Sequence, residues 1–215
     1  YLTEDTVSEE YIEALGEMWH NNNFSLSYLI ETFFQSRLFF HPSFRGNLVK
    51  SPIHFYLGLC QDLRLDVVPF DSKLLTSMRV MGQDFYNPPN VRGWLYGEHW
   101  INSTTISGRR QVVNYVFGSL NEDQLNGNEQ RDLERAQRED RGNFLVTQER
   151  LNQVVGTAVD DLAEHFSSYF ITAPFRNSYH KSLQSIISNT ESEGATRRIR
   201  NALIALLQSP AYNLS

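Results

Sequence analysis

The side chains best suited to catalysis or ligand binding lie close together in the sequence, between positions 84 and 102. Asp84, Glu98 and His99 are the residues there that could act as general acid and base. Around them stand residues of the types that stack on sugar rings, hydrogen-bond hydroxyl groups or contact a protein partner: Asn87, Asn90, Trp94, Tyr96, Trp100 and Asn102. The same types could equally wedge a loop between helices, with the amides bonding backbone groups that an irregular chain leaves unpaired. The sequence favours this structural interpretation and leaves ligand binding open.

No established catalytic or metal-binding signature accompanies these residues. The six histidines show neither the His-x-x-x-His nor the His-Glu-x-x-His spacing of a zinc site, and no phosphate-binding or dinucleotide-binding glycine pattern is present. Cys60 is the single cysteine, so an intrachain disulfide is excluded, and its apolar surroundings predict a buried structural thiol. We therefore expect no metal and no cofactor.

Composition and charge narrow the classes of partner. The formal net charge of −6 argues against nucleic-acid binding through a basic surface. No apolar run reaches the ~18 residues of a membrane span, and no signal peptide is visible. Because the chain opens on Tyr1 without a methionine, we expect a fragment or a processed form.

The segment that carries the candidate residues is predicted to be a loop of defined shape. Pro88 and Pro89 remove two backbone donors and hold the residues before them in extended geometry. Gly93 and Gly97 allow positive φ or a close approach of two backbones. Such a segment suits neither a regular helix nor a central strand.

Elsewhere the periodicity of apolar residues is helical. Ser51 before Pro52 is typical of a helix start, Asp71 is predicted to cap a helix, and Asn102 or Ser103 the helix after the loop. The helical segments run approximately over residues 7–19, 26–38, 52–63, 72–81, 103–117, 147–169, 178–188 and 195–207. Strand signals are sparse. The predicted fold class is all-α, an irregular multi-helix bundle with a long Pro/Trp/Gly-rich structured loop.

The charge pattern predicts three parts of the chain. Residues 1–120 would form a helical core that carries the motifs, residues 121–146 a charged linker or insertion, and residues 147–215 C-terminal helices that pack on the same core. Mixed charges crowd the middle part, from Asn121 to Asn143. A solvated helix or a partly ordered linker explains them better than a docking arm does.

Four motifs carry a resemblance to a known family. They are residues 50–55 (KSPIHF), 81–94 (MGQDFYNPPNVRGW), 100–105 (WINSTT) and 206–212 (LLQSPAY). In this order they resemble the Domain of Unknown Function 1800 (DUF1800) family. The resemblance is strong from Phe24 to Arg110, weaker over the last fifty residues, and limited to what looks like the C-terminal half of the family. The charged stretch looks like an insertion in the family pattern.

The resemblance implies a setting and a partner but supplies no catalytic residues. Family members are bacterial and commonly exported, so a cell-envelope or secreted location is expected. They are often encoded beside a sulfatase-like protein, which implies a protein partner. We expect an interaction domain that binds a protein partner or an envelope glycan. A polymer-acting hydrolase with its site in residues 84–102, and an architectural subunit of a surface assembly, remain the alternatives.

Overall fold

The computed structural model describes residues 7–118, 125–156, 161–172, 175–189 and 194–215. Within these ranges lie ten α-helices: α1 (Glu9–Asn21), α2 (Leu26–Gln35), α3 (Pro52–Asp62), α4 (Asp71–Val80), α5 (Ser103–Val116), α6 (Gly127–Arg138), α7 (Gln148–Gly156), α8 (Leu162–Phe170), α9 (Arg176–Asn189) and α10 (Ala195–Leu207). Short 3-10 turns occupy Pro42–Phe44, Gly97–Trp100 and Pro210–Asn213. The described residues contain no strand, only an isolated antiparallel bridge between Val49 and Leu214. The predicted all-α class is confirmed.

Side-chain caps explain where the central helices begin. The Ser51 hydroxyl accepts a hydrogen bond from the backbone N–H of His54, and Pro52 takes the first helical position, as predicted. Asn102 caps α5. Helix α4 begins one residue earlier than predicted, with Phe70 rather than Asp71 at the N-cap position.

The segment predicted as one helix over residues 147–169 contains two. Helix α7 ends at Gly156, and α8 has its own cap, because the Asp161 carboxylate accepts hydrogen bonds from the backbone N–H groups of Ala163 and Glu164. The extended backbone of Asp161 interrupts the helical path. Residues 157–160 lie outside the described part of the chain.

The core is built mainly from α3, α5, α8 and α10. Its buried apolar residues include Phe55, Leu59, Val113, Val116, Phe166, Ile199, Leu206 and Leu207. Helix α4 lies close to α5 at Gly108, where an added Cβ would stand 2.8 Å from the Val80 Cγ1 atom. Cys60 is buried in this core as predicted, and burial raises the pKa of its thiol.

The charged stretch contains helix α6. The Asn126 side chain and Glu129 form a capping box at its N-terminus, and Ala136 on its inner face is buried. After the helix, Phe144 and Val146 enter the core, and the Val146 N–H donates to the Val116 carbonyl over 2.7 Å. Residues 121–124 of the predicted linker lie outside the described residues. The three-part division of the chain stays a prediction.

The N-terminal helices α1 and α2 pair with each other and contain no buried residue. At the end of α2 and just after it, the rings of Phe33, Phe34, Phe39 and Phe40 contact one another edge to face. A cavity of about 400 Å³ lies between these rings and Ser215. This part of the molecule therefore packs through exposed and half-buried side chains.

Candidate functional site

The loop of residues 82–102 is anchored where it leaves α4. Its first residue, Gly82, has a φ of 97°, and the Gln83 backbone N–H donates to the Met78 carbonyl over 2.9 Å. The Gln83 side-chain oxygen accepts a hydrogen bond of 3.0 Å from the backbone N–H of Ile53, at the start of α3. This bond satisfies one of the donors that a helix N-terminus leaves free. The loop start is thereby tied to two helices.

The end of the loop is anchored by hydrogen bonds at the start of α5. The Thr105 hydroxyl donates to the Trp100 carbonyl over 2.9 Å, and the backbone N–H of Asn102 donates to the same hydroxyl oxygen over 2.9 Å. The Asn102 side-chain oxygen accepts from the N–H groups of Thr104 and Thr105. An added Cβ on Gly82 would lie 3.3 Å from the Thr105 Cγ2 atom, so the two ends of the loop meet here.

Between these anchors, short-range hydrogen bonds shape the loop. The Asp84 carboxylate accepts from the Asn87 amide over 3.1 Å and pairs with the Arg79 guanidinium over 3.2 Å. These two contacts hold the pKa of Asp84 below its ordinary value. The Asn90 side-chain oxygen accepts from the Arg92 N–H over 2.8 Å, and Gly93, at a φ of 84°, closes the turn.

Four apolar side chains of the loop face solvent. Tyr86 is 99% exposed and Val91 is fully exposed, and Leu95 and Tyr96 are more than half exposed. Tyr86 also has a φ of 62°, in the left-handed region that residues with a bulky side chain rarely adopt. The loop thus presents a group of apolar side chains from a backbone that is held by its own hydrogen bonds.

The predicted binding residues divide into two groups. Trp100 is only 8% exposed, so its ring faces the protein. The Asn87 and Asn90 side chains make hydrogen bonds within the loop, and the Asn102 side chain caps α5. Trp94 is half-buried and Tyr96 is exposed. The three asparagines remain exposed despite their hydrogen bonds, so Trp100 is the one predicted binding residue that the structure buries.

Tyr86 and Val91 belong to the accessible surface, yet sequence reasoning did not select them. Their position on either side of Pro88-Pro89 is the signal that could have found them. Two consecutive prolines keep the chain extended and unpaired, so the neighbouring side chains project from the loop rather than fold back on a helix.

The three predicted acid–base candidates do not form a connected group. Glu98 and His99 are exposed on the turn Gly97–Trp100, and no hydrogen bond or ion pair among the described residues joins either of them to Asp84. Within the same described part of the chain, no group of three or more His, Cys, Asp or Glu residues is placed to hold a metal ion.

None of the helices in the described ranges has the length and apolar character needed to cross a membrane.

Comparison with protein families gives one match. The family model described as "Protein of unknown function (DUF1800)" matches residues 1–214, which is essentially the whole chain. The matched range includes the N-terminal helices and the charged stretch, so it does not support a resemblance restricted to the C-terminal half of the family. Neither the curated proteins nor the solved structures give a significant match.

Proposed function

This chain belongs to the DUF1800 family of proteins of unknown function, and on that premise we propose that it is a protein-docking domain whose contact surface is the loop of residues 82–102. One observation carries the proposal. Tyr86 and Val91 are fully exposed on a loop whose two ends are tied to α3, α4 and α5. An apolar surface that a protein holds in solvent by fixed geometry is typical of an interaction site.

The backbone of Tyr86 supports a functional rather than an incidental role. A left-handed conformation costs a non-glycine residue roughly 1–2 kcal/mol, and glycine at this position would avoid that cost. Tyr86 has a φ of 62° while its ring makes almost no contact with the rest of the chain. Strained residues of this kind concentrate at functional sites. Tyrosine is also among the residues that contribute most at protein interfaces.

The hydrogen bonds of the loop favour tight association. The turn at Asp84 and Asn87 and the turn at Asn90 and Gly93 are already formed in the free protein. A preformed loop loses little conformational freedom on binding, so more of the contact energy appears as affinity. The exposed side chains would insert into an apolar groove of the partner.

A protein partner suits this surface better than a glycan does. The glycan hypothesis relied on the rings of Trp94, Tyr96 and Trp100 and on the asparagine amides of the loop. Trp100 is buried, and the Asn87 amide nitrogen and the Asn90 side-chain oxygen each make a hydrogen bond within the loop. Tyr86 and Val91, the most exposed side chains of the loop, combine an aromatic ring with an aliphatic group, and this combination suits an apolar groove of a protein.

Several finer predictions from the family resemblance remain part of this proposal. They are an exported, bacterial protein in the cell envelope or secreted, a sulfatase-like partner encoded nearby, and a correspondence to the C-terminal half of the family. The hydrolase alternative gains no support from the loop, because no hydrogen bond or ion pair among the described residues joins Asp84 to Glu98 or His99.

Site-directed photo-crosslinking in the native cells tests the docking function. A benzophenone amino acid replaces Tyr86 or Val91, and a matched control places it at Leu57, which is partly exposed on α3. We expect a discrete adduct with a second protein from positions 86 and 91 and none from position 57. The substitution Val91→Asp should abolish the adduct from position 86, whereas Val67→Asp, at an exposed site outside the loop, should leave it unchanged.

Three results would contradict the proposal. They are the absence of an adduct from the loop positions, the same adducts from position 57, and an adduct with twice the mass of the chain. The last result would favour the architectural alternative, in which the loop joins two copies of this protein. Circular dichroism spectra and unfolding midpoints of all variants, compared with those of the parent protein, verify that each variant is folded.

A further inference from the structure

A second surface feature is a cleft of about 540 Å³ at the C-terminal end of α3, between α7, α8 and α10. Its floor is apolar and consists of Val146, Leu151, Phe166 and Leu203, all of which are buried. The volume lies within the range of roughly 300–1,000 Å³ that is typical of small-molecule sites. Nothing in the docking function uses this cleft.

Two arginines stand at the rim. The Arg150 Nη1 atom donates to the carbonyl oxygens of Leu63 and Arg64, each over 2.9 Å, so the guanidinium is fixed by the backbone that follows α3. Arg64 itself is exposed and has a φ of 53°. No ion pair joins either arginine to a carboxylate of the described residues. Both guanidinium groups therefore carry positive charge without an anionic partner in that part of the chain.

The acidic residue that lines the cleft, Asp62, is hydrogen-bonded to a residue of the core. The Asp62 Oδ2 atom accepts a hydrogen bond of 2.8 Å from the Tyr212 hydroxyl. Burial raises the pKa of Tyr212, which keeps this hydroxyl protonated as a donor. The charge of Asp62 also acts on the Lys50 ammonium, which lies 4.1 Å from the centre of the Tyr212 ring. Asp62 thus sets one negative charge against the two positive charges of Arg64 and Arg150, and these three lining residues together keep a net positive charge.

An aromatic wall completes the cleft. The rings of His165 and Tyr169 are nearly parallel, at an angle of 17° with centroids 6.5 Å apart, and both side chains are exposed on α8. Phe170 packs against Tyr169 with ring centroids 4.9 Å apart. Such a wall offers flat apolar contacts to a ring of a ligand.

We infer that this cleft binds a small organic anion, an aromatic carboxylate whose ring lies on the apolar floor and whose charge faces Arg64 and Arg150. A fixed guanidinium suits a carboxylate because it offers several donors in one plane. A fully hydrated inorganic anion would bind more weakly than an aromatic carboxylate, because it would leave the apolar floor and the aromatic wall uncovered.

The test uses two probes of the same shape. Naphthalene-2-carboxylate and the uncharged naphthalene-2-carboxamide are titrated into the protein by isothermal calorimetry and by NMR chemical-shift mapping. We expect saturable binding of the carboxylate, at least tenfold tighter than binding of the amide, with shifts in α7 and α8. Such a ratio corresponds to about 1.4 kcal/mol of charge recognition.

A matched pair of variants separates charge from fold. Arg64→Asn removes the charge and suits the left-handed backbone, because asparagine tolerates positive φ. It should weaken carboxylate binding severalfold and leave amide binding unchanged. Arg92→Asn removes an equal charge in the exposed loop, which does not line the cleft. It should change the affinity for neither the carboxylate nor the amide.

Any of three results would overturn the inference: no saturable binding of the carboxylate, equal affinity for the carboxylate and the amide, or an equal loss in the Arg64→Asn and Arg92→Asn variants. The experiment uses the purified chain alone. Its outcome is therefore independent of the proposed docking partner.

Discussion

Two Tyr-Asn pairs lie within two residues of a proline in this chain, and their environments in the structure are opposite. In the exposed loop, Tyr86 and Asn87 precede Pro88, and Tyr86 is 99% exposed. Near the C-terminus, Tyr212 and Asn213 follow Pro210, and Tyr212 is fully buried. The same residue types thus form a displayed surface in one region and part of the core in the other.

The difference lies in how far along the chain each pair finds its partners. The Tyr212 hydroxyl reaches Asp62, which is 150 residues away, and its ring packs against Phe55 with centroids 5.7 Å apart. Asn213 accepts a hydrogen bond from Arg109, 104 residues away. Asn87, by contrast, bonds Asp84 only three residues before it. Short-range bonds shape a loop, whereas burial requires contacts from distant segments.

Arg109 is central to the buried region, and sequence reasoning missed it. Its side chain is 2% exposed and donates to the Lys50 carbonyl over 2.7 Å and to the Asn213 side-chain oxygen over 3.2 Å. The guanidinium carbon lies 5.1 Å from the centre of the Phe55 ring. Burial lowers the pKa of Arg109 to about 10, so the group remains charged at neutral pH. It joins the start of α3 to the C-terminal residues.

The largest expected contrast comes from truncating each tyrosine. Tyr212→Ala removes a buried ring and its hydrogen bond to Asp62, and should lower the free energy of unfolding by about 3–5 kcal/mol. Tyr86→Ala removes a ring with almost no contacts and should change it by less than about 0.5 kcal/mol. Urea denaturation at pH 7 measures both. Similar losses in the two variants would contradict the assigned difference in burial.

A smaller contrast is expected for the arginines. Arg109→Met keeps much of the side-chain volume but leaves the Lys50 carbonyl and the Asn213 oxygen without a donor, and should cost about 2–3 kcal/mol of unfolding free energy. Arg92→Met, at an exposed position of the loop, should cost less than about 0.5 kcal/mol. Thermal and urea unfolding compare the two variants. A stable Arg109→Met protein would mean that the two acceptors find other donors.

The smallest effect concerns pH and separates the two asparagines. Because the pKa of Asp84 is lowered in the folded protein, the hydrogen bond with Asn87 is present above the ordinary aspartate pKa of about 3.9 and is lost as the pH falls through the lowered value. The Asn87 side-chain amide signals should therefore shift below about pH 4 in an NMR titration.

The Asn213 amide is the internal control for that titration. It donates to the Ser209 carbonyl, and its oxygen accepts from Arg109, and neither group titrates in this range. The Asp84→Asn variant should remove the shift at Asn87. Equal shifts at both asparagines would indicate general acid unfolding rather than titration of Asp84.

Local signals in the sequence were sufficient for the helices and for the existence of the loop. Ser51 and Asn102 cap their helices because a cap needs only the next three residues. The last α-helix was predicted with its observed bounds, Ala195–Leu207. The apolar periodicity continues across the interruption at Asp161 and therefore does not reveal it.

The sequence by itself determined the all-α class, the family and the irregular loop, because each depends on neighbouring residues or on motifs read in order. Only the tertiary structure decided that Trp100 is buried, that Tyr86 and Val91 are displayed, and that Arg109 lies in the core. The physical reason is that the burial of a side chain depends on the segments of the chain that fold around it. Tyr86 and Tyr212 have the same intrinsic preference, and only distant partners such as Asp62 and Phe55 enclose one of them.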